Sequence, residues 1–395
     1  MTEFARAYDH DAVLRFPLMP GAHETAWRYV FDWAITGEAV HCCPGDSVLE
    51  FGAGSSWASE FLNRLGYRTV ALDMDPEILA SAQGRMTLDQ RLDPAQSSFV
   101  AGDGQHLPFA DGAFEGVICL NALHHMPDYT AALSEIRRVL KPGSRAAFSE
   151  PGSLHADSPE SRLAVEQFAV VEKSVILGEV FQIARQVGFE QMFVKPYVYP
   201  HLVELDYRNL RVYRFNLSLV PYTRPDQIAR FLHRTRAIFV LTVPGDRPVT
   251  SARPGLLRAQ LVLDELPTAV PPGSEITVRA TVRNTGDTLW LSAPRKFGGF
   301  VTFGVKLCLS SGRLLLDTLG RTLIGHDVPP HGEITVQTSF WLPETLESGE
   351  YLLRFDMVDE QVAWFEQLGS RAVEHRFSVV GRGGHGSNRC GRAQC

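Results

Sequence analysis

The segment Val48-Leu49-Glu50-Phe51-Gly52-Ala53-Gly54-Ser55-Ser56 constrains this 395-residue chain more than any other. A short apolar run ends in glycines. An amphipathic stretch follows at once, with Phe61, Leu62 and Leu65 on one face and Gly66 closing it. A strand that turns on glycines into a helix exposes the first N–H groups of that helix and lets a ligand approach the backbone. Asp73 closes the next apolar run, 69–72, where a carboxylate can accept hydrogen bonds from two ribose hydroxyls. Trp57 stands where the dinucleotide fingerprint G-x-G-x-x-G needs its third glycine, so that fingerprint is broken.

Apolar runs and amphipathic stretches then alternate. Strands are expected at 47–51, 69–72, 116–120 and 145–149, with helices at 56–65, 76–84 and 129–140. A further helix is expected at 179–187, and last strands at 191–198 and 236–243. This alternation predicts an α/β fold with a doubly wound, Rossmann-like sheet. The aromatic and arginine-rich stretch 199–233 reads as a lid insertion that includes Tyr199, His201, Tyr207, Tyr213, Phe215 and Tyr222. Tyr197 lies just before it. Beyond 256 the texture becomes short alternating strands, at 276–282, 301–309, 313–319, 334–341, 351–358 and 375–379. Pro-Gly and Asn-Thr-Gly turns separate them, which predicts an all-β immunoglobulin-like sandwich. The expected domains are an N-terminal helical segment 1–40, a catalytic domain 41–250, a sandwich 256–380 and a disordered tail 381–395.

Hydrophobic residues make up 45% and charged residues 21%, which excludes a mainly disordered chain. Acidic and basic residues are equal in number from Ser251 onward, so the whole net charge of -7 sits in the first 250 residues. That sign speaks against a nucleic-acid partner. Six cysteines without a C-x-x-C pair indicate neither a disulfide framework nor a zinc ribbon. The first ten residues lack the apolar core of a secretory signal, and the apolar run 237–243 is too short to span a bilayer. The expectation is a soluble cytoplasmic protein with no membrane span.

Downstream of the glycine turn stand Gly102-Asp103-Gly104, Leu107-Pro108-Phe109, Asp111-Gly112-Ala113-Phe114, Asn121-Ala122-Leu123-His124-His125-Met126 and Glu135-Ile136-Arg137-Arg138-Val139-Leu140-Lys141-Pro142-Gly143. In this order and spacing the series resembles the class I S-adenosylmethionine-dependent methyltransferases, most closely their small-molecule branch. The resemblance is strong over 40–150 and weaker over 150–245. It implies S-adenosylmethionine as cofactor. Glu50, Gly52, Ala53 and Gly54 would cradle its methionine part. Asp73 would hold the ribose and Met74 would pack on the adenine. Asp103, with Gly104 beside it, would bond the adenine amino group, and Asn121 would meet the donor end. Ser56 departs from the glycine frequent in the family and should alter loop packing slightly.

Methyl transfer to a hydroxyl needs a base near the donor methyl. Candidates at the ends of the fourth and fifth strands are His125, His155 and Glu150, with His124 and Glu172 nearby; the other role open to Glu150 is to order a neighbouring loop. His124, His125 and Glu150 could converge on a cation, but no tight ligand cluster stands in the sequence and no metal is expected. The stretch 349–365 together with 282–290 resembles β-sandwich modules attached to bacterial polysaccharide-assembly enzymes. Trp290, Trp341, Trp364 and Phe365 would form either a glycan-stacking patch or core, with core favoured, and Asp356, Asp359 and Glu360 face a ligand or a turn. The expected function is O-methylation of a sugar, glycan or glycan precursor in surface polysaccharide biosynthesis. The alternatives are a small hydrophobic acceptor with the sandwich as a homo-oligomerisation surface, or a non-catalytic binding protein that recruits glycan-assembly partners.

Overall fold

A computed structural model describes residues 15–168, 170–195 and 236–380. The chain divides into two units, Met1–Arg247 and Pro248–Cys395. The expected lid 199–233, with its aromatics, and the expected tail 381–395 lie outside the described residues.

The first unit is built on seven strands: β1 Ser47–Phe51, β2 Arg68–Asp73, β3 Ser97–Ala101, β4 Phe114–Leu120, β5 Leu140–Pro151, β6 Gln191–Val194 and β7 Arg236–Thr242. Their order in the sheet is β3-β2-β1-β4-β5-β7-β6. Strands β1 to β5 run parallel, and β7 runs antiparallel to both neighbours. The helices are α1 His23–Ala39, α2 Trp57–Arg64, α3 Pro76–Leu88, α4 Tyr129–Val139, α5 Pro159–Phe168 and α6 Leu177–Gln186. Strand β3 escapes sequence reading because its residues Ser-Ser-Phe-Val-Ala are only partly buried on an edge and show no apolar run. Helix α5 is missed because it shows no apolar stripe, and most of its side chains meet solvent.

Helix starts follow from local chemistry. The Asp75 carboxylate accepts from the N–H groups of Glu77 and Ile78, with Pro76 at the first helical position. Asp128 caps α4 in the same way, through Thr130 and Ala131, and Arg137 and Arg138 lie in its last turn against the negative end of the helix dipole. Leu133, Ile136 and Val139 of α4 and Val180 and Ala184 of α6 bury one face of the sheet with Phe148 and Phe239. The last two rings stack with centroids 4.6 Å apart. Ala39, Val40, Trp57, Ala58 and Leu62 cover the other face over Val48, Ile118 and Ala147. Chain order reverses at β1, between β2 and β4, and the crevice outside those strand ends is where open α/β sheets bind ligands.

The second unit has a three-stranded sheet and a larger one. The first is β8 Ala259–Leu263, β10 Glu275–Asn284 and β13 Glu333–Trp341, in the order β13-β10-β8. The second is β9 Ala269–Val270, β11 Val301–Leu309, β12 Leu314–Leu323, β14 Gly349–Asp359 and β16 Val373–Val379, in the order β12-β11-β14-β16-β9, with β15 Ala363–Trp364 paired to β14. In β10 and β13 exposed and buried positions alternate strictly. The buried set Ile276, Val278, Val282, Val336 and Phe340 shares one core with Phe303, Val305, Phe355 and Phe377 of the larger sheet. Trp290, Trp364 and Phe365 belong to the interior. Lys306 and Arg321 cover the Trp364 ring, at 3.9 and 4.4 Å from its centroid. Of the four aromatics weighed as a stacking patch only Trp341, 64% exposed, meets solvent, so no aromatic patch forms from that set. Asp356 is also an interior residue. Its carboxylate accepts from the N–H groups of Met357 and Glu366 and holds the turn before β16. Asp359 is buried, and Glu360 accepts from the Thr302 hydroxyl.

Candidate active site

The glycine turn after β1 fits against the turn after β4. Gly52 has φ +67°, and a Cβ there would lie 2.2 Å from the Cβ of Ala122. Gly54, φ +50°, has open space where a side chain would stand. Its N–H donates to Asp73 Oδ2 at 2.7 Å, while Asp73 Oδ1 accepts from Asp75 N–H. Burial pushes the Asp73 carboxyl up from its ordinary value, against those two bonds. Met74 beside it is 76% exposed, an apolar side chain left outside the core. Ala53 is buried and donates its N–H to Leu72 O, which ties the turn to β2.

Glu50 lies beneath the turn. It is buried and accepts from Ser59 N–H at 2.8 Å, and burial pushes its carboxyl up to about 7. Ser56 takes φ +55°, and its buried hydroxyl finds no partner among the described residues. Asp103 sits in an exposed turn, where the Gln105 N–H and then His106 hold its carboxyl below the usual range. Gly104 is pressed against the Phe51 ring, 2.5 Å from where its Cβ would be, and close to Met126 Sδ. A cradle lined by backbone, closed below by Phe51 and flanked by two carboxylates and an exposed methionine suits S-adenosylmethionine, which offers an amino acid, a ribose and a flat purine.

Asn121 adopts φ +57° and donates its N–H to Ser149 O. Its Oδ1 accepts from Arg236 Nη1, and Arg236 also donates to the Ser149 hydroxyl. Asp32 of α1 completes this buried group, 2.6 Å from Arg236 Nη2. Burial raises the Asp32 carboxyl, with Arg236 opposing the shift. Sequence reasoning missed Asp32 and Arg236. The one signal for Asp32 was a lone charge within an apolar stretch, and for Arg236 a charge at the head of one.

Glu150 takes a different place from the one expected of a base. It is wholly buried, and its oxygens accept from the Cys119 thiol, from Ala122 and Leu123 N–H at 3.0 Å, and face His124 Nδ1 at 2.7 Å. Burial would raise its carboxyl, but His124 and the two amides overcome that and hold it at about 2. An acid so saturated with donors orders the 122–125 turn and does not reach an acceptor. His124 is buried with it, and burial lowers its ring against the pull of Glu150.

The segment after α5 brings in Glu172. Lys173 N–H donates to His124 O at 3.1 Å and lays this segment along the histidine turn. Glu172 Oε2 lies 2.6 Å from His155 Nε2, and Glu172 Oε1 lies 3.7 Å from His125 Nδ1. His125 Nδ1 donates to Val171 O at 2.8 Å. The ring of His124 lies tilted against that of His125, centroids 3.8 Å apart, and meets the edge of His155 at 4.9 Å. Thus His125, His155 and Glu172 converge, whereas Glu150 stands behind His124.

The family model described as a methyltransferase domain matches residues 49–148. Over 200 residues the chain is 32% identical to the demethylmenaquinone methyltransferase of Mycobacterium marinum, covering 51% of this chain and 72% of that protein. It is 33% identical over 156 residues to the corresponding protein of Corynebacterium glutamicum, covering 39% of this chain and 58% of that one. Among solved structures, Haemonchus contortus phosphoethanolamine N-methyltransferase 2 in complex with S-adenosyl-L-methionine aligns with a TM-score of 0.41 at 18% identity, over 55% of this chain and 53% of that one.

Proposed function

The chain belongs to the S-adenosylmethionine-dependent methyltransferases, and from that premise we propose that it methylates a hydroxyl oxygen of a sugar, glycan or glycan precursor, with His155 as the base. When bound, S-adenosylmethionine supplies an electrophilic methyl group on sulfur. Gly52, Ala53, Gly54 and Glu50 would hold its methionine part, Asp73 the ribose, Met74, Asp103 and Gly104 the adenine, and Asn121 the donor end. The chain's own task is to align an acceptor oxygen with that methyl and to take its proton.

The observation that carries this reading is the pair His155–Glu172, 2.6 Å apart beside the turn that packs on the cofactor loop. A carboxylate bonded to Nε2 orients the ring and leaves Nδ1, 3.3 Å from the Ser161 hydroxyl, as the accepting nitrogen. A hydroxyl acceptor needs such a base. His125 is the second candidate, with its Nδ1 committed to Val171 O.

The acceptor class rests on the second unit. Strands β8, β10 and β13 form one sheet, while β9, β16, β14, β11 and β12 form the other. This order, with β12 paired to β11 at the edge of the larger sheet, supports an immunoglobulin-like sandwich. Such a module would hold the polymer or measure its length. The relatives named demethylmenaquinone methyltransferases favour a second reading, a hydrophobic ring acceptor, with the sandwich as a homo-oligomerisation surface. A non-catalytic binding role is disfavoured, since Glu50, Asp73 and Asp103 are all retained. A cytoplasmic location is part of the proposal. No helix among the described residues is long and apolar enough to cross a membrane.

Methyl-labelled S-adenosylmethionine distinguishes the acceptors. Label transferred to sugars, sugar nucleotides or oligosaccharides, and not to reduced quinones, supports the first reading. Transfer to quinols alone overturns it in favour of the second.

A further inference from the structure

The histidine turn contains an arrangement that proton transfer alone does not explain. The Glu150 carboxylate is filled by donors from Cys119, Ala122 and Leu123 and faces His124 Nδ1 at 2.7 Å, which places the ring proton on Nδ1. The lone pair of His124 Nε2 therefore points away from Glu150. It faces Glu172 Oε2 at 3.7 Å, an acceptor opposite an acceptor across a gap too long for a hydrogen bond. Glu172 Oε1 stands at the same distance from His125 Nδ1. One ligand atom from each of His124, His125 and Glu172 lies within 4.8 Å of the other two. Bonds of about 2.1 Å to a tetrahedral ion would set such atoms about 3.4 Å apart, so the two histidine–Glu172 pairs at 3.7 Å close by about 0.3 Å and the widest pair of the set by up to about 1.4 Å, within reach of side-chain rotation.

We propose that His124 Nε2, His125 and Glu172 bind one divalent first-row transition ion, with zinc as the first candidate. Two imidazoles and one carboxylate suit zinc or iron(II) and not magnesium or calcium, which prefer all-oxygen shells. The outer partners fit as well. A metal-binding histidine characteristically gives its other N–H to a carboxylate, as His124 does to Glu150, and a ligating carboxylate is itself hydrogen-bonded, as Glu172 is by His155. His125 must exchange its bond to Val171 O for the ion and carry its ring proton on Nε2 instead of Nδ1. The sequence expectation of no metal looked to Glu150 as the third ligand. The fold puts Glu150 behind His124 and brings Glu172 into that position.

What the ion would do rests on the proposed methyl transfer. Its remaining positions would take the acceptor hydroxyl and lower the pKa of that group. The proton passes to His155 and the oxygen lone pair forms the new O–C bond. The methyl S–C bond breaks with its pair returning to sulfur, and the ion is neither oxidised nor reduced.

The test uses the full chain stripped with chelator, titrated with cobalt(II) as a spectroscopic probe, and in parallel loaded with zinc and assayed for metal content. One equivalent bound, with visible cobalt bands of a four- or five-coordinate site, is expected. Glu172→Gln and His125→Gln should each weaken binding at least about tenfold, and Glu150→Gln by about 10–100-fold. Calorimetric titration of the Glu172 and His125 variants with S-adenosylmethionine should match the parent within about twofold, which also reports that they fold. If Glu172→Gln does not fold, His125→Gln, whose side chain is 39% exposed, carries the test. No stoichiometric ion, or equal binding in the foldable variants and the parent, overturns the site. Cobalt binding without S-adenosylmethionine binding would sink the methyltransferase reading and leave the metal site standing.

Discussion

Gly52 and Ala122 join the cofactor loop to the histidine turn, packed so that a Cβ on Gly52 would come 2.2 Å from the Cβ of Ala122. Gly52 also has φ +67°, where L side chains are strained. Gly52→Ala should therefore both destabilise the first unit, by about 3 kcal/mol, and displace the histidine turn. Urea unfolding and S-adenosylmethionine titration check this together. Unchanged stability with unchanged affinity would show that the two turns are not coupled.

Asp73 holds Gly54 N–H and would hold the ribose. Losing two charge-assisted bonds corresponds to about 3 kcal/mol, so Asp73→Ala should lower cofactor affinity by about 100-fold or more. Calorimetry reads this directly, and an affinity equal to that of the parent would remove Asp73 from the site.

Glu50 gives a pH signature. Its folded carboxyl titrates at about 7 against an ordinary value of 4.5, so the native protein holds a proton that the unfolded chain has already released between those values. On this account stability falls as pH rises from 4.5 through 7, by about 3 kcal/mol, and Glu50→Gln should flatten that part of the curve. Glu150 has the opposite sign. Its folded value of about 2 means that its contribution is present above 4.5 and is lost as pH falls towards 2. Unfolding curves of the parent and the two Gln variants, taken from pH 3 to pH 8, separate the two effects.

Ser56 takes φ +55° and buries a hydroxyl without a partner among the described residues. Ser56→Gly should raise stability by about 1 kcal/mol, since glycine adopts that backbone without a Cβ penalty. A lower melting temperature in the glycine variant would mean that the hydroxyl has a partner and contributes to the loop.

His155→Gln should lower kcat by about 10²–10⁴ and leave cofactor affinity unchanged, because the ring lies outside the glycine cradle. Single-turnover methyl transfer measured against pH shows whether the missing group is a base. A loss of rate with an unchanged pH profile would assign His155 to positioning.

The sheet was legible because buried parallel strands such as Ser47–Phe51 read as largely apolar runs that alternate with amphipathic stretches. Edge strand Ser97–Ala101 is only partly buried and left no such trace. The glycines and Asp73 were legible because their backbone and charge requirements are local. Glu172 was weighed only as one acid among several, since its contact with His155 depends on the Lys173–His124 backbone bond, which no short-range pattern announces. Glu150 was left between base and support of a neighbouring loop for the same reason. Its residue type suits a base, and only its burial behind His124 shows that it orders the turn. Trp290, Trp364 and Phe365 left two readings open in sequence, with core favoured, and their burial decides for the interior.

The most direct measurement is calorimetric titration of the purified full chain with S-adenosylmethionine and, separately, with NAD. One site of micromolar affinity for S-adenosylmethionine, and none for NAD, is the expected result. A protein that folds, as shown by cooperative unfolding, yet binds no S-adenosylmethionine would contradict the assignment of the Gly52–Gly54 cradle and the function built on it.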